Sequence, residues 1–283
     1  MTSATSSPSS PPLRQRLLAR PSMRAVLALL SVLAPFALAL WLSESVPKPW
    51  PANWPLLLAA AGIVAGYWLY VRRIGGRAVA ELSGPGAWRE LGSGLGLGTL
   101  LAAACTLVLL ATGTYTMTGT VLPSVMLKPL GEQIMVAFFE EILFRAVIFR
   151  LLEKSWGTRI ALTASTLLFV LAHLPNEHFS AFGAVMTGIA ALALSAAYLV
   201  TRRLWLPIGM HFAWNYLFDA VVSVPVSGHT ARGWVQVSVS GPDWLSGGAY
   251  GVEASVVTLA TWGTVAAGLL VLAHRRGNWV AKP

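Results

Sequence analysis

Charge is scarce in this chain. Asp, Glu, Lys and Arg make up 11% of its 283 residues, where soluble domains carry about one quarter, and 55% of the residues are hydrophobic. A soluble bundle built from helices this apolar would lack the polar outer faces that water requires, and the positive mean hydropathy agrees. Cysteine occurs once, as Cys105. An intrachain disulfide is thereby excluded, and a buried packing role is the expectation for that side chain. Acidic residues number 11 against 20 basic ones, but the basic ones are spread along the chain instead of being gathered on one face of a domain, so no nucleic-acid partner is expected.

What the chain has in quantity is apolar sequence in runs near the length of about 17–25 residues that a helix needs to cross a bilayer. Eight such runs occur: Ala25–Leu42, Pro55–Val71, Leu95–Thr112, Gln133–Leu152, Thr158–Leu174, Ala181–Val200, Leu204–Val222 and Ala254–Ala273. The expected fold is all-α, a polytopic helical membrane protein of about eight transmembrane helices. Basic residues set its orientation, because short cytoplasmic loops collect Lys and Arg. With both termini cytoplasmic, 16 of the 20 fall in cytoplasmic segments; Lys48, Lys128 and Arg232 lie outside, and Arg145 lies within a span. The net charge of +9 mostly expresses this asymmetry.

Residues 1–22 are rich in Ser, Thr and Pro and end in arginines, as suits a disordered cytoplasmic tail. A cleaved signal peptide fits less well, because the following apolar run is long enough to span and no A-x-A-like site follows it. Residues 23–129 would then hold the first transmembrane helices, 130–222 a core carrying the polar motifs, and 223–283 an outer loop and the last transmembrane helix. That loop contains "SGPDWLSGGAYGVEAS", a Gly-rich turn entering the final helix.

Against this background the stretch "MVAFFEEILFRAVIF", residues 135–149, stands out. Glu140 and Glu141 are the acidic residues nearest the middle of a span, where a charge costs at least about 2.5–3.5 kcal/mol. Glu141 and Arg145 are four apart and share a helical face, which predicts an ion pair. Glu140 and Glu141 project about 100° apart, so the two are expected to serve different partners, and Glu140 needs a group to face it. Candidates lie on two later spans, His173 in "FVLAH" and His211 with Asn215 in "HFAWN", where the spacing of four puts His211 and Asn215 on one face. Glu140 and His211 match in depth; His173 is nearer the outer surface by about two turns. His178, His229 and His274 fall in loops or at a helix end and are assigned no role.

Three patterns in this order, EExxxR (Glu140, Glu141, Arg145), FxxxH (Phe169, His173) and HxxxN (His211, Asn215), each on its own apolar span, resemble the CAAX-protease and bacteriocin-processing (CPBP, or ABI) family of intramembrane proteases. "SGGAYGVEAS" also resembles a segment that follows the last motif in many bacterial members. The resemblance covers roughly residues 130–222. It implies an intramembrane endopeptidase related to type II CAAX prenyl endopeptidases, in which Glu140 acts as general base with His173 to activate water. It further implies that His211 and Asn215 polarise the scissile carbonyl and stabilise its oxyanion, while Glu141 and Arg145 orient and brace the site. The implied substrate is a membrane-embedded or lipid-anchored peptide or protein, and the implied location is a bacterial plasma (inner) membrane.

The family is often described as metalloproteases, so Glu140, His173 and His211 are the ligand set if Zn²⁺ is present. The chain lacks H-E-x-x-H, which presents two zinc ligands from one helix, and a metal-independent site is the expectation. An aspartyl mechanism would need two mid-membrane aspartates, yet Asp219 is near a helix end and Asp243 in a loop. Ser165, eight residues before His173 on one helix, is too far along the axis to be its nucleophile. Two other readings compete: a catalytically idle homologue that binds a peptide for immunity or regulation, and a proton-coupled transporter, which also uses buried Glu, Arg and His. Intact motifs weigh against the first, and the absence of matched broken helices in two halves weighs against the second.

Overall fold

The computed structural model describes residues 20–45 and 53–282. The cytoplasmic tail expected over 1–22 therefore lies mostly outside the described residues, and its last two residues belong to the first helix. The protein is mostly helical, at 74%. Helix α1 spans Pro21–Ser45, α2 Trp54–Arg73, α3 Ala87–Ala111 and α4 Leu130–Glu141, which continues without interruption as a π-helical segment over Ile142–Phe149. Next come α5 (Arg150–Ala172), α6 (Ala181–Thr201), α7 (Trp205–Tyr216), which runs on as a π-helical segment over Leu217–Val222, and α8 (Val256–Arg275).

All eight apolar runs fall on helices, and five of these (α1, α2, α3, α6 and α8) are long and apolar enough to cross a membrane by length and composition. This is a membrane protein. The other three runs fall on α4, α5 and α7. Helix α4 leads into the charged motif, α5 opens with Arg150, Glu153 and Lys154, and α7 is short before its π-helical continuation. The fourth and fifth runs are separated at Gly157, whose φ of +77° breaks the helical path. A Cβ there would lie 2.8 Å from the backbone nitrogen of Lys282. Glycine lets the C-terminal segment dock, with Thr158 N–H donating to Val280 O at 2.9 Å and Val280 N–H to Thr158 Oγ1 at 2.8 Å.

One element departs from the all-α expectation. Strands β1 (Tyr115–Thr120) and β2 (Val235–Val239) pair antiparallel, with an irregularity between Met117 and Gly119. Both lie in segments read as loops, and both are rich in the Thr, Val and Tyr that suit a pleated ribbon. Cys105 is buried as expected, its Sγ 3.2 Å from Thr261 Oγ1.

Two packing devices place the helices that matter. Helix α3 runs against α7 so closely that a Cβ on Gly94 would meet Leu206 O at 2.2 Å and one on Gly98 would meet Met210 O at 2.5 Å. Small residues at a spacing of four permit such an approach where lipid supplies no hydrophobic drive. Beyond the end of α2, Glu81 is fully buried between Arg77 (2.6 Å) and Arg150 (3.2 Å) and also accepts from the Tyr67 hydroxyl. The α2–α3 connection is thereby joined to the start of α5.

Burial alone would raise the Glu81 carboxyl, but the hydrogen bond from Arg77 and the charge of Arg150 outweigh it and hold the group below its ordinary value near 4.5. A depressed carboxyl gives stability that is complete above the ordinary value and is lost as pH falls through the folded one. Glu81→Gln is accordingly expected to unfold at lower temperature than the parent near pH 7, with the difference closing as the pH drops below 4.5. Thermal unfolding of the detergent-solubilised proteins across that range checks it.

Candidate active site

The EExxxR motif straddles the junction where α4 passes into its π-helical segment, a kind of irregularity often found at functional sites. Arg145 is 1% exposed and Glu141 0%, so their charges must be satisfied internally. Arg145 Nη1 donates to Glu141 Oε1 at 3.0 Å, as the spacing predicts, and Nη2 donates to Ala191 O on α6 at 3.1 Å. The guanidinium also lies 4.9 Å from the centroid of the Phe169 ring on α5. One arginine thus ties the π-helical segment to α4, α5 and α6.

Phe169 accounts for the first position of FxxxH. Its ring supports Arg145, meets Phe144 edge-on at 4.7 Å and lies 4.4 Å from the His173 ring. Its carbonyl oxygen is 2.8 Å from His173 Nδ1. A carbonyl can only accept, so Nδ1 carries a hydrogen and Nε2 faces away from this contact. His173 caps the end of α5 and is half-buried.

His211, on α7, is held the same way by a different partner. Its Nδ1 lies 2.9 Å from Glu141 Oε1, and its Nε2 lies 3.9 Å from Glu140 Oε2. The adjacent glutamates were expected to serve different partners. Instead they take opposite edges of one imidazole, because its two nitrogens offer contact points to side chains that diverge from the same helix. The second separation is too long for a hydrogen bond. Glu140 Oε2 is buried and has no hydrogen-bond partner among the described residues.

These groups open onto one cavity of about 390 Å³, lined among others by Glu140, His173, His211 and Asn215. The two-turn difference in depth read for His173 does not keep it from the common wall. Asn215 is half-buried, one turn beyond His211. Glu141 and Arg145 do not line the cavity and act on it through His211.

The structure adds wall residues that the sequence reading left without a role: Asp219, His229 and Glu253. Asp219 accepts from Gln133 at 2.9 Å and pairs with Arg232 at 2.6 Å, and Arg232 also reaches Glu132 at 2.8 Å. Glu253 accepts from Trp214 Nε1 at 3.2 Å and from the Ser227 hydroxyl. Nearby Tyr250 is pushed up to about 12 by burial and by the Glu253 charge, so it presents a neutral hydroxyl. The Gly-rich segment containing Glu253 stands out in the sequence, but no periodicity connects it to α7.

The zinc reading needs Glu140, His173 and His211 to converge on one ion. Among the described residues no three His, Cys, Asp or Glu side chains are grouped closely enough to do so. Glu140 Oε2 and His211 Nε2 lie 3.9 Å apart.

Residues 123–217 match the family model described as type II CAAX prenyl endopeptidase Rce1-like. The match covers about a third of the chain and includes every residue of the three motifs. No curated protein and no solved structure matches the chain.

Proposed function

We propose, from the match of residues 123–217 to the Rce1-like family model, that the protein is an intramembrane endopeptidase of the CAAX-protease family that hydrolyses a peptide bond of a membrane-embedded or lipid-anchored substrate. The observation that carries this reading is the convergence of Glu140, His173 and His211 from three helical segments on a single cavity. Glu140 is the general base. Its Oε2 is committed to no structural hydrogen bond, and a water reaching both it and His211 Nε2 would sit where proton transfer needs it. His173, on the wall of the same cavity, is assigned the assisting role in activating that water.

As the water oxygen bonds to the carbonyl carbon, its proton passes to Glu140. When the C–N bond breaks, the same proton goes to the leaving nitrogen, giving an acid and an amine. The Asn215 amide, and His211 when its Nε2 carries a proton, donate to the oxyanion, a contribution worth about 10²–10³ in rate for a single donor. Glu141 and Arg145 are positioning residues that fix the His211 ring. We assign the protein to a bacterial plasma membrane with both termini cytoplasmic, and we assign the site a metal-independent mechanism.

The test is cleavage of single-span model peptides by the purified protein and by Glu140→Ala and His173→Ala, each with and without a chelator. Loss of cleavage in both variants, with the parent indifferent to the chelator, is the expected result. Cleavage surviving both substitutions would end the catalytic assignment. Loss on chelation with recovery on adding zinc would replace the metal-independent mechanism.

A further inference from the structure

The cavity wall has a marked imbalance of charge. Four carboxylates line it, those of Glu132, Glu140, Asp219 and Glu253, together with His173, His211 and His229, and among the described residues no lysine or arginine does. Two of the four are countered from the rim, because Arg232 pairs with both Asp219 and Glu132. Glu140 serves the hydrolytic chemistry. Glu253 remains: it is half-buried, held by the neutral donors Trp214 Nε1 and Ser227 Oγ, and in no ion pair among the described residues.

An ionised carboxylate withdrawn from water is costly unless a cation or several donors meet it. Each of its oxygens has one neutral donor, and neither donor brings a positive charge. Its surroundings are aromatic: the Trp214 indole packs edge-on against Trp262 at 5.2 Å, and both rings line the cavity. Trp262 supplies a second and independent sign of a missing ligand. It is 2% exposed, and its Nε1–H has no acceptor among the described residues. A buried donor without a partner is costly, so an incoming carbonyl would relieve it.

A carboxylate with no basic partner recognises a cation, and a free N–H recognises a carbonyl. A peptide bearing a lysine or arginine side chain carries both.

We propose that Glu253, with Trp214 and Trp262, forms a specificity subsite of this cavity for a lysine or arginine side chain of the substrate peptide, flanking the bond to be cut. This deepens the endopeptidase reading and rests on it for the position of the cut, whereas recognition of the cation can be measured without turnover.

The probes are fluorescein-labelled Leu/Ala single-span peptides in detergent, each with one Lys, norleucine or Glu moved stepwise along the sequence. Binding is read by anisotropy on Glu140→Gln, so that no peptide is consumed. At one or a few adjacent positions the Lys peptide is expected to bind about tenfold tighter than its norleucine counterpart, the size of a hydrogen bond to a charged group. Glu253→Gln in the same background is expected to erase that ratio, and Glu253→Lys to turn the preference toward the Glu peptide. Equal binding of Lys and norleucine peptides at every position would overturn the subsite, and needs no second variant to fold. A Lys preference that survives Glu253→Gln would overturn it as well. Peptides that bind with the expected preference but are never cut by the parent protein would sink the endopeptidase reading while leaving the subsite standing.

Discussion

Glu140→Gln is expected to lower kcat by about 10²–10⁴, the range carried by a positioned acid–base group, while leaving KM and thermal stability nearly unchanged. The stability half follows from the hydrogen bonds. Glu140 Oε2 has no partner among the described residues, and the nearest charged group, His211 Nε2, is 3.9 Å away. Glutamine keeps the length and shape of the side chain, and replacing the half-buried carboxylate with a neutral amide removes no hydrogen bond among the described residues. The activity half follows from what the amide lacks, since it cannot take a proton from water at any useful pH. Steady-state cleavage of a model peptide alongside thermal unfolding in detergent separates the two. A variant that keeps more than about a tenth of the parent rate would mean that Glu140 is not the base. One that loses its folded state would mean that the carboxylate is a structural group after all.

The same pair of glutamates shows how far the sequence reaches. That Glu141 and Arg145 would pair was legible from a spacing of four on one helix, and the 3.0 Å contact agrees. That Glu140 would stand apart from that pair was legible too. What could not be read was that a single imidazole would receive both carboxylates. Angular separation along a helix says where side chains leave the backbone and nothing about a ring on another helix that presents two nitrogens. The eight apolar runs located helices, five of which are long and apolar enough to cross a membrane, because a run of that length and composition is satisfied by helical hydrogen bonding. The β1–β2 ribbon and the position of Glu253 escaped because loop paths have no such periodicity. Glu253 follows the left-handed turns at Gly247, Gly248 and Gly251, and its contact with Trp214 depends on how those turns fold back over α7. Gly94 and Gly98 were visible as small residues in an apolar run, but that α7 would lie against them is a tertiary fact.

Removing Arg145 tests whether the brace and the chemistry are separable. Arg145→Ala should cost about 3–5 kcal/mol, because breaking a buried ion pair from one side leaves the other charge exposed to an apolar interior. Here Glu141 is fully buried, and His211 Nδ1 is its remaining partner among the described residues. The deletion also takes away the donor to Ala191 O and the cation over Phe169, so α6 and α5 lose a shared anchor. Arg145→Lys is expected to recover only part of the loss, since one ammonium cannot reproduce the planar fork that reaches Glu141 and Ala191 together. The decisive variant is the double replacement Glu141→Leu with Arg145→Met. Exchanging a buried ion pair for apolar side chains of similar size is often neutral or stabilising, so the melting temperature in detergent should return close to that of the parent. Cleavage should not return, because His211 Nδ1 then has no acceptor to fix its tautomer and ring orientation. A double variant that is both stable and active would show that the pair supports the fold alone. One that is stable and inactive would show that the buried charge is retained for the imidazole it orients.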